Sequence, residues 1–160
     1  MAKKICLYGV LSALCIVFGF IEHLISFDFI APGIKIGLAN SVALLLIVWG
    51  DKQGAIAVNL VRILLSALLF SNPSVLYYSL SGGVISFIVM VIFSKFNSVS
   101  IIGLSIAGAV AHNITQLVCA QLLLGNGIWY YTPILLVSAL LGGFITGTAA
   151  SIVFKKIKNT

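Results

Sequence analysis

Long apolar runs separated by short polar interruptions make up almost the whole chain. Six can be drawn, over residues 5–25, 36–50, 54–70, 75–93, 98–124 and 133–154. About 20 apolar residues cross a bilayer as a helix, so each run reads as a membrane helix. The second is short for a full crossing, which predicts that it starts nearer Pro32 or lies tilted. The interruptions carry turn chemistry. Ser71-Asn72-Pro73-Ser74 and Gly125-Asn126-Gly127 read as tight loops. Pro32, Pro73 and Pro133 stand at the start of the second, fourth and sixth runs. Proline suits the first turn of a helix, where its missing N–H has no intrahelical partner anyway. Trp129, Tyr130 and Tyr131 read as interfacial aromatics, and Tyr77 and Tyr78 as the same or as the mouth of a cavity.

Polar residues inside the runs stand out. Arg62 lies within an otherwise uncharged run, where a cation at mid-membrane is costly and must face the protein interior, a partner or a water-filled cavity. Asn59 lies three residues before it and Ser66 four after, so the three share one helical face. Two readings stand: a structural arginine capping carbonyls of neighbouring helices, or an anion-binding group in a cavity. The fifth run carries Ser105, His112, Asn113, Gln116 and Cys119, a polar stripe at a similar depth. Asn40 enters from the second run, and Ser79 and Ser81 from the fourth. Lys35 guards the mouth, with Glu22, His23 and Asp28 close in sequence. The expected site is therefore Arg62, Lys35, Asn40, Asn59, His112, Asn113, Gln116 and Ser81. It suits a small anionic or strongly polar solute, because a guanidinium offers a planar fork to carboxylate or phosphate. The competing possibility is that Glu22 or Asp28 neutralises Lys35 or Arg62 in a structural ion pair.

Composition agrees with the pattern. The chain has 160 residues, 61% hydrophobic and 8% charged, with mean hydropathy +1.23. This predicts an all-α polytopic membrane protein, one six-helix bundle over residues 1–160 with no separate soluble domain. The net charge of +6 does not indicate nucleic-acid binding, because the cations sit at segment ends instead of forming a soluble basic face. Alternating the runs across the membrane puts Lys3, Lys4, Lys52, Lys95, Lys155, Lys156 and Lys158 on one side and Lys35 on the other. The positive-inside rule then places both termini in the cytoplasm of a multi-pass protein in the cell membrane. The start MAKK resembles a signal peptide, but no small-x-small cleavage site precedes Glu22, so a retained first helix is expected.

Catalysis has little to stand on. Glu22, Asp28 and Asp51 are the only carboxylates and are isolated, so no paired aspartates hold Mg²⁺ against a diphosphate. Asp51 and Lys52 mark a turn with no chemistry assigned. No Ser-His-Asp arrangement, HExxH or phosphate loop is visible. Cys6, Cys15 and Cys119 form no CxxC pair and read as small apolar-segment residues. No catalytic residue, metal site or cofactor is expected. Without an ATP site the chain cannot power transport by itself.

Small residues mark helix contacts. Ala139, Gly143, Gly147 and Ser151 recur every four residues, as do Gly103, Ala107, Ala111 and Thr115. There is also an internal echo. Pro73 with Leu80-Ser81-Gly82-Gly83-Val84-Ile85-Ser86 matches Pro133 with Leu140-Leu141-Gly142-Gly143-Phe144-Ile145-Thr146. A true repeat of this kind runs its two helices in the same direction.

Three stretches carry a resemblance: PGIKIGLAN at 32–40, Asn72-Pro73-Ser74 with SLSGG at 79–83, and GAVAHNITQL at 108–117. In this order they resemble the Gx transporter family, also labelled heptaprenyl diphosphate synthase component I, over nearly the whole chain. That family is similar to the substrate-binding S components of energy-coupling factor transporters. The resemblance implies uptake of a vitamin-like solute, with a transmembrane T component and ATPase subunits as partners. Gly9 and Ala13 match the small residues by which S components meet the T component, although the pattern has alanine at both positions. The second label implies a non-catalytic membrane subunit tied to prenyl diphosphate or quinone biosynthesis. Solute capture is the leading expectation, the accessory subunit its alternative, and a ligand-free assembly factor the third.

Overall fold

A computed structural model describes residues 2–24, 37–70, 73–96 and 98–158. Within them run six α-helices: α1 (Ala2–Leu24), α2 (Leu38–Val48), α3 (Lys52–Phe70), α4 (Pro73–Phe93), α5 (Ile101–Leu124) and α6 (Thr132–Lys158). A 3₁₀ segment, Asn126–Tyr131, joins the last two. The apolar runs thus match the helices closely, and Pro73 and Pro133 fall in the first turns of α4 and α6. α2 has only 11 residues, and the stretch near Pro32 from which a longer helix was expected lies outside the described residues. Lys35 and Asp28 lie there too, and nothing is described of the His23, Tyr78 and Ser79 side chains.

Local chemistry sets the ends. Ser100 caps α5, its hydroxyl accepting the Gly103 N–H at 3.0 Å. Asp51 plays the same part for α3 through the Gly54 N–H, also at 3.0 Å. Gly37, before α2, has φ +84°, a left-handed conformation that glycine adopts without steric penalty.

Contacts show how the helices run. Tyr8 meets Asp51 and Gly54, while Gly19 faces Ser66, so α1 and α3 are parallel. Gly82 faces His112 and Gln116, and Gly108 faces Ser86 and Met90, so α4 and α5 are antiparallel. Gly143 lies on Ile106 and Gly147 on Ile102, so α5 and α6 are antiparallel as well. α5 is thereby held between α4 and α6, which share a direction. The expected small-residue seam is present on α6. A methyl at Gly143 or Gly147 would sit 2.8 Å from the Cα of Ile106 or Ile102. The α5 surface that receives them is Ile102, Ser105, Ile106 and Ala109, not the stripe through Gly103. Among the described residues a methyl on Gly103 would meet only its own cap, Ser100 and Val99.

The molecule is apolar outside and carries polar groups within. Exposed side chains include Leu7, Val10, Val17, Leu68, Leu122, Phe144 and Ile152, whereas Ser12, Asn59, Ser86, Ser105, Asn113 and Thr146 are buried. Water does not favour such a surface over that length, but lipid does. Among the described residues three helical stretches, Ala2–Glu22, Ile101–Leu122 and Gly127–Lys158, are long and apolar enough to cross a membrane. The protein is all-helical and membrane-associated. Its tightest core gathers Cys15, Leu44, Leu46, Ile47, Ala55, Val58, Met90, Leu104 and Ala150. Apart from Cys15, midway along α1, these lie toward the end of the bundle where α2, α4 and α6 finish and α3 and α5 begin.

Candidate functional site

Arg62 turns inward. Its Nη2 donates to Asn59 Oδ1 at 3.1 Å, one turn earlier on α3. Asn59, 5% exposed, passes the link on, its Nδ2 donating to the Gly83 carbonyl of α4 at 3.4 Å. Arg62 Nε is buried and has no hydrogen-bond partner among the described residues. Two side chains of α1 lie within electrostatic reach of the guanidinium, the Cys15 thiol and the Glu22 carboxylate. Glu22 also accepts the Leu38 N–H, tying α1 to the start of α2. Cys15 is fully buried and donates to the Ala39 carbonyl at 3.6 Å.

The Gly82–Gly83 step explains why these groups meet. A methyl on Gly83 would strike Ile63 and stand 3.6 Å from Arg62 Nη2. One on Gly82 would stand 3.0 Å from the His112 ring and 3.1 Å from Gln116 Cγ. Bare backbone therefore seats α3 against one flank of α4 and α5 against the other. The structure brings five expected site residues to this step: Arg62, Asn59, His112, Gln116 and Ser81. Ser81 donates to the Tyr77 carbonyl at 2.7 Å and touches Cys119 Sγ at 3.1 Å.

The other expected residues go elsewhere. Asn113, 5% exposed, donates its amide to the Leu135 carbonyl at 2.8 Å and joins α5 to α6. Asn40 lines a separate small cavity with Ser86, Ser105 and Thr146. Gly9 and Ala13 are exposed on α1, and nothing lies within 4 Å of a methyl built on Gly9. Among the described residues no group of His, Cys, Asp and Glu could hold a metal ion.

Sequence reasoning passed over Asp51. The Tyr8 hydroxyl donates to its Oδ2 at 2.6 Å while Gly54 holds Oδ1. The Tyr8 hydroxyl, the Gly54 N–H and nearby Lys4 hold this carboxyl below the usual carboxylate range. The Asp-x-x-Gly spacing before an apolar run was a readable helix-start signal; the tyrosine 43 residues away was not.

A family model described as heptaprenyl diphosphate synthase component I matches residues 11–153. The chain belongs to this family. No curated protein and no solved structure matches it. Component I of this synthase is the non-catalytic partner of the catalytic component II, and this component I family member is accordingly not an enzyme in its own right. The matched range takes in every residue of the Arg62 cluster and most of α1.

Proposed function

We propose that the chain is a membrane-embedded, non-catalytic accessory subunit working beside a prenyl diphosphate synthase catalytic subunit. The family match over 11–153 carries this reading and favours it over solute uptake, the leading expectation from the sequence alone. The chemistry is compatible: a polyprenyl product is a long apolar chain with a diphosphate head, and this protein offers an apolar surface around a half-buried cation. In the proposed arrangement all six helices cross the cell membrane. The lysine-bearing helix ends, with both termini, face the cytoplasm, where a soluble synthase is made. Arg62 and Asn59, with His112, Gln116 and Ser81 across the Gly82–Gly83 step, hold the polar head of an amphiphilic ligand. Lys35 is the remaining member of the proposed set; Asn40 and Asn113 are engaged elsewhere.

The test is reconstitution. The tagged protein, extracted in mild detergent with its own organism's prenyl diphosphate synthase catalytic subunit, should retain that subunit through size-exclusion chromatography. It should also change the chain length or rate of prenyl transfer. A synthase that elutes alone and works identically without its partner removes the accessory reading.

Solute capture remains as a second reading because one observation favours it: the buried Nε of Arg62, without a hydrogen-bond partner among the described residues. A polar ligand is a natural acceptor for that N–H. Under this reading the solute enters at the Arg62 cluster, and a T component with ATPase subunits, contacted through Gly9 and Ala13, drives its release. Ligand binding to the folded state raises its melting temperature. An anionic solute that stabilises the wild type and not Arg62→Ala, with the variant still folded, supports capture. Equal stabilisation of both proteins removes Arg62 from the site.

A further inference from the structure

The internal echo leads to a second polar site, away from Arg62. Ser86 and Thr146 occupy matching places in the two copies, four residues after Gly82 and Gly142. Their helices, α4 and α6, flank α5 in the same direction, and both side chains line one cavity of about 10 Å³ together with Ser105 of α5 and Asn40 of α2. Ser86 is 1% exposed, and its Oγ has no hydrogen-bond partner among the described residues.

The other two hydroxyls are bonded to each other, and the Gly142 carbonyl gives their protons a direction. Thr146 Oγ1 donates to the Gly142 carbonyl at 2.8 Å. Ser105 Oγ lies 2.9 Å away, in a contact where either hydroxyl can donate; with the Thr146 proton on Gly142, Thr146 accepts from Ser105. Ser105 has then spent its only proton and is left with free lone pairs. At one wall of the cavity a donor lacks an acceptor; at the other an acceptor lacks a donor.

We propose that this cavity is a built site for one internal water molecule, which accepts from Ser86, donates to Ser105 and reaches the Asn40 side chain. About 10–15 Å³ is what a single water requires, given two to four polar partners, so the size admits water and excludes an organic solute. The occupied site is a continuous relay from Ser86 through the water, Ser105 and Thr146 to the Gly142 carbonyl. It fastens α4, α5 and α6 in the apolar interior, where an unmatched hydroxyl is costly. A methyl on Gly108 would reach Met90 Cγ at 2.8 Å and Ser86 Oγ at 3.2 Å, so the glycine keeps the space open.

Two measurements decide it. In thermal unfolding of the purified full-length chain, Ser86→Ala should lower the melting temperature by about 3–6 °C, the loss of a satisfied buried hydrogen bond. The loss in Ser86→Ala with Ser105→Ala should be smaller than the sum of the single losses, because both hydroxyls share the water. A dry cavity gives the opposite sign: deleting an unmatched hydroxyl leaves the temperature unchanged or raises it, which overturns the proposal, as does strict additivity. A high-resolution experimental map of the wild type should show an isolated solvent peak within hydrogen-bond reach of Ser86 Oγ and Ser105 Oγ. An empty cavity there overturns the proposal whatever the variants do.

Discussion

Arg62 and Asp51 show how differently two charged residues fare in one apolar chain. Arg62 is one of the few charges inside the runs, and its inward orientation follows from the cost of facing lipid. What lies around it follows only in part: Asn59 was readable from helical spacing and Glu22 was one of two carboxylates the sequence offered, whereas Cys15 was brought near by the packing of α1 on α3. Asp51 sits in the turn between α2 and α3, where its carboxylate caps α3 and receives the Tyr8 hydroxyl. Its folded pKa is held below the ordinary value of about 4. The stability it contributes is therefore fully present above that value and is lost as pH falls through the lower, folded pKa. Asp51→Asn should melt below wild type at neutral pH, and the gap should narrow under acid. Melting curves of both proteins across an acid series check this; a gap independent of pH means that the carboxylate charge is not what matters.

At the scale of helices, small residues gather where backbones touch, but not every stripe of them is a seam. Gly147 rests against the backbone of α5, with no flexible side chain to yield. Gly147→Val should therefore destabilise by about 1–3 kcal/mol, measured as a loss of cooperative unfolding temperature. Gly103, four residues apart from its neighbours in the same pattern, meets nothing closer than 3.4 Å. Gly103→Ala should be tolerated and can gain about 0.5–1 kcal/mol from helix propensity. If both variants behave alike, the packing described for α5 and α6 is incorrect. The sequence pattern could not separate these glycines, because period four says only which residues share a face and not which face a neighbour covers.

For the molecule as a whole, the arrangement of charge is the strongest long-range feature. Lys3, Lys4, Lys52, Lys95, Lys155, Lys156 and Lys158 are all exposed and belong to helix ends that the contacts place together with the apolar core cluster. A reporter that fluoresces only in the cytoplasm, fused after Thr160, should therefore light up. A reporter active only outside, at the same junction, should stay silent, and the reverse pattern inverts the proposed orientation.

Length and hydropathy alone dictated six helices, their approximate limits and the gathering of lysines at one end, because a chain this apolar has little choice in lipid and each helix satisfies its own backbone. They also marked Arg62 and Asn59 as neighbours, since a helix turns a spacing of three into contact. Which polar groups meet across helices was settled by tertiary packing. The bare Gly82–Gly83 step collects Arg62, Asn59, His112 and Gln116, while Asn113 turns to α6 and Asn40 to the cavity beside Ser86. Periodicity orders residues around one helix axis; it carries no information on how two axes are rotated against each other, and that rotation decides a site shared between helices.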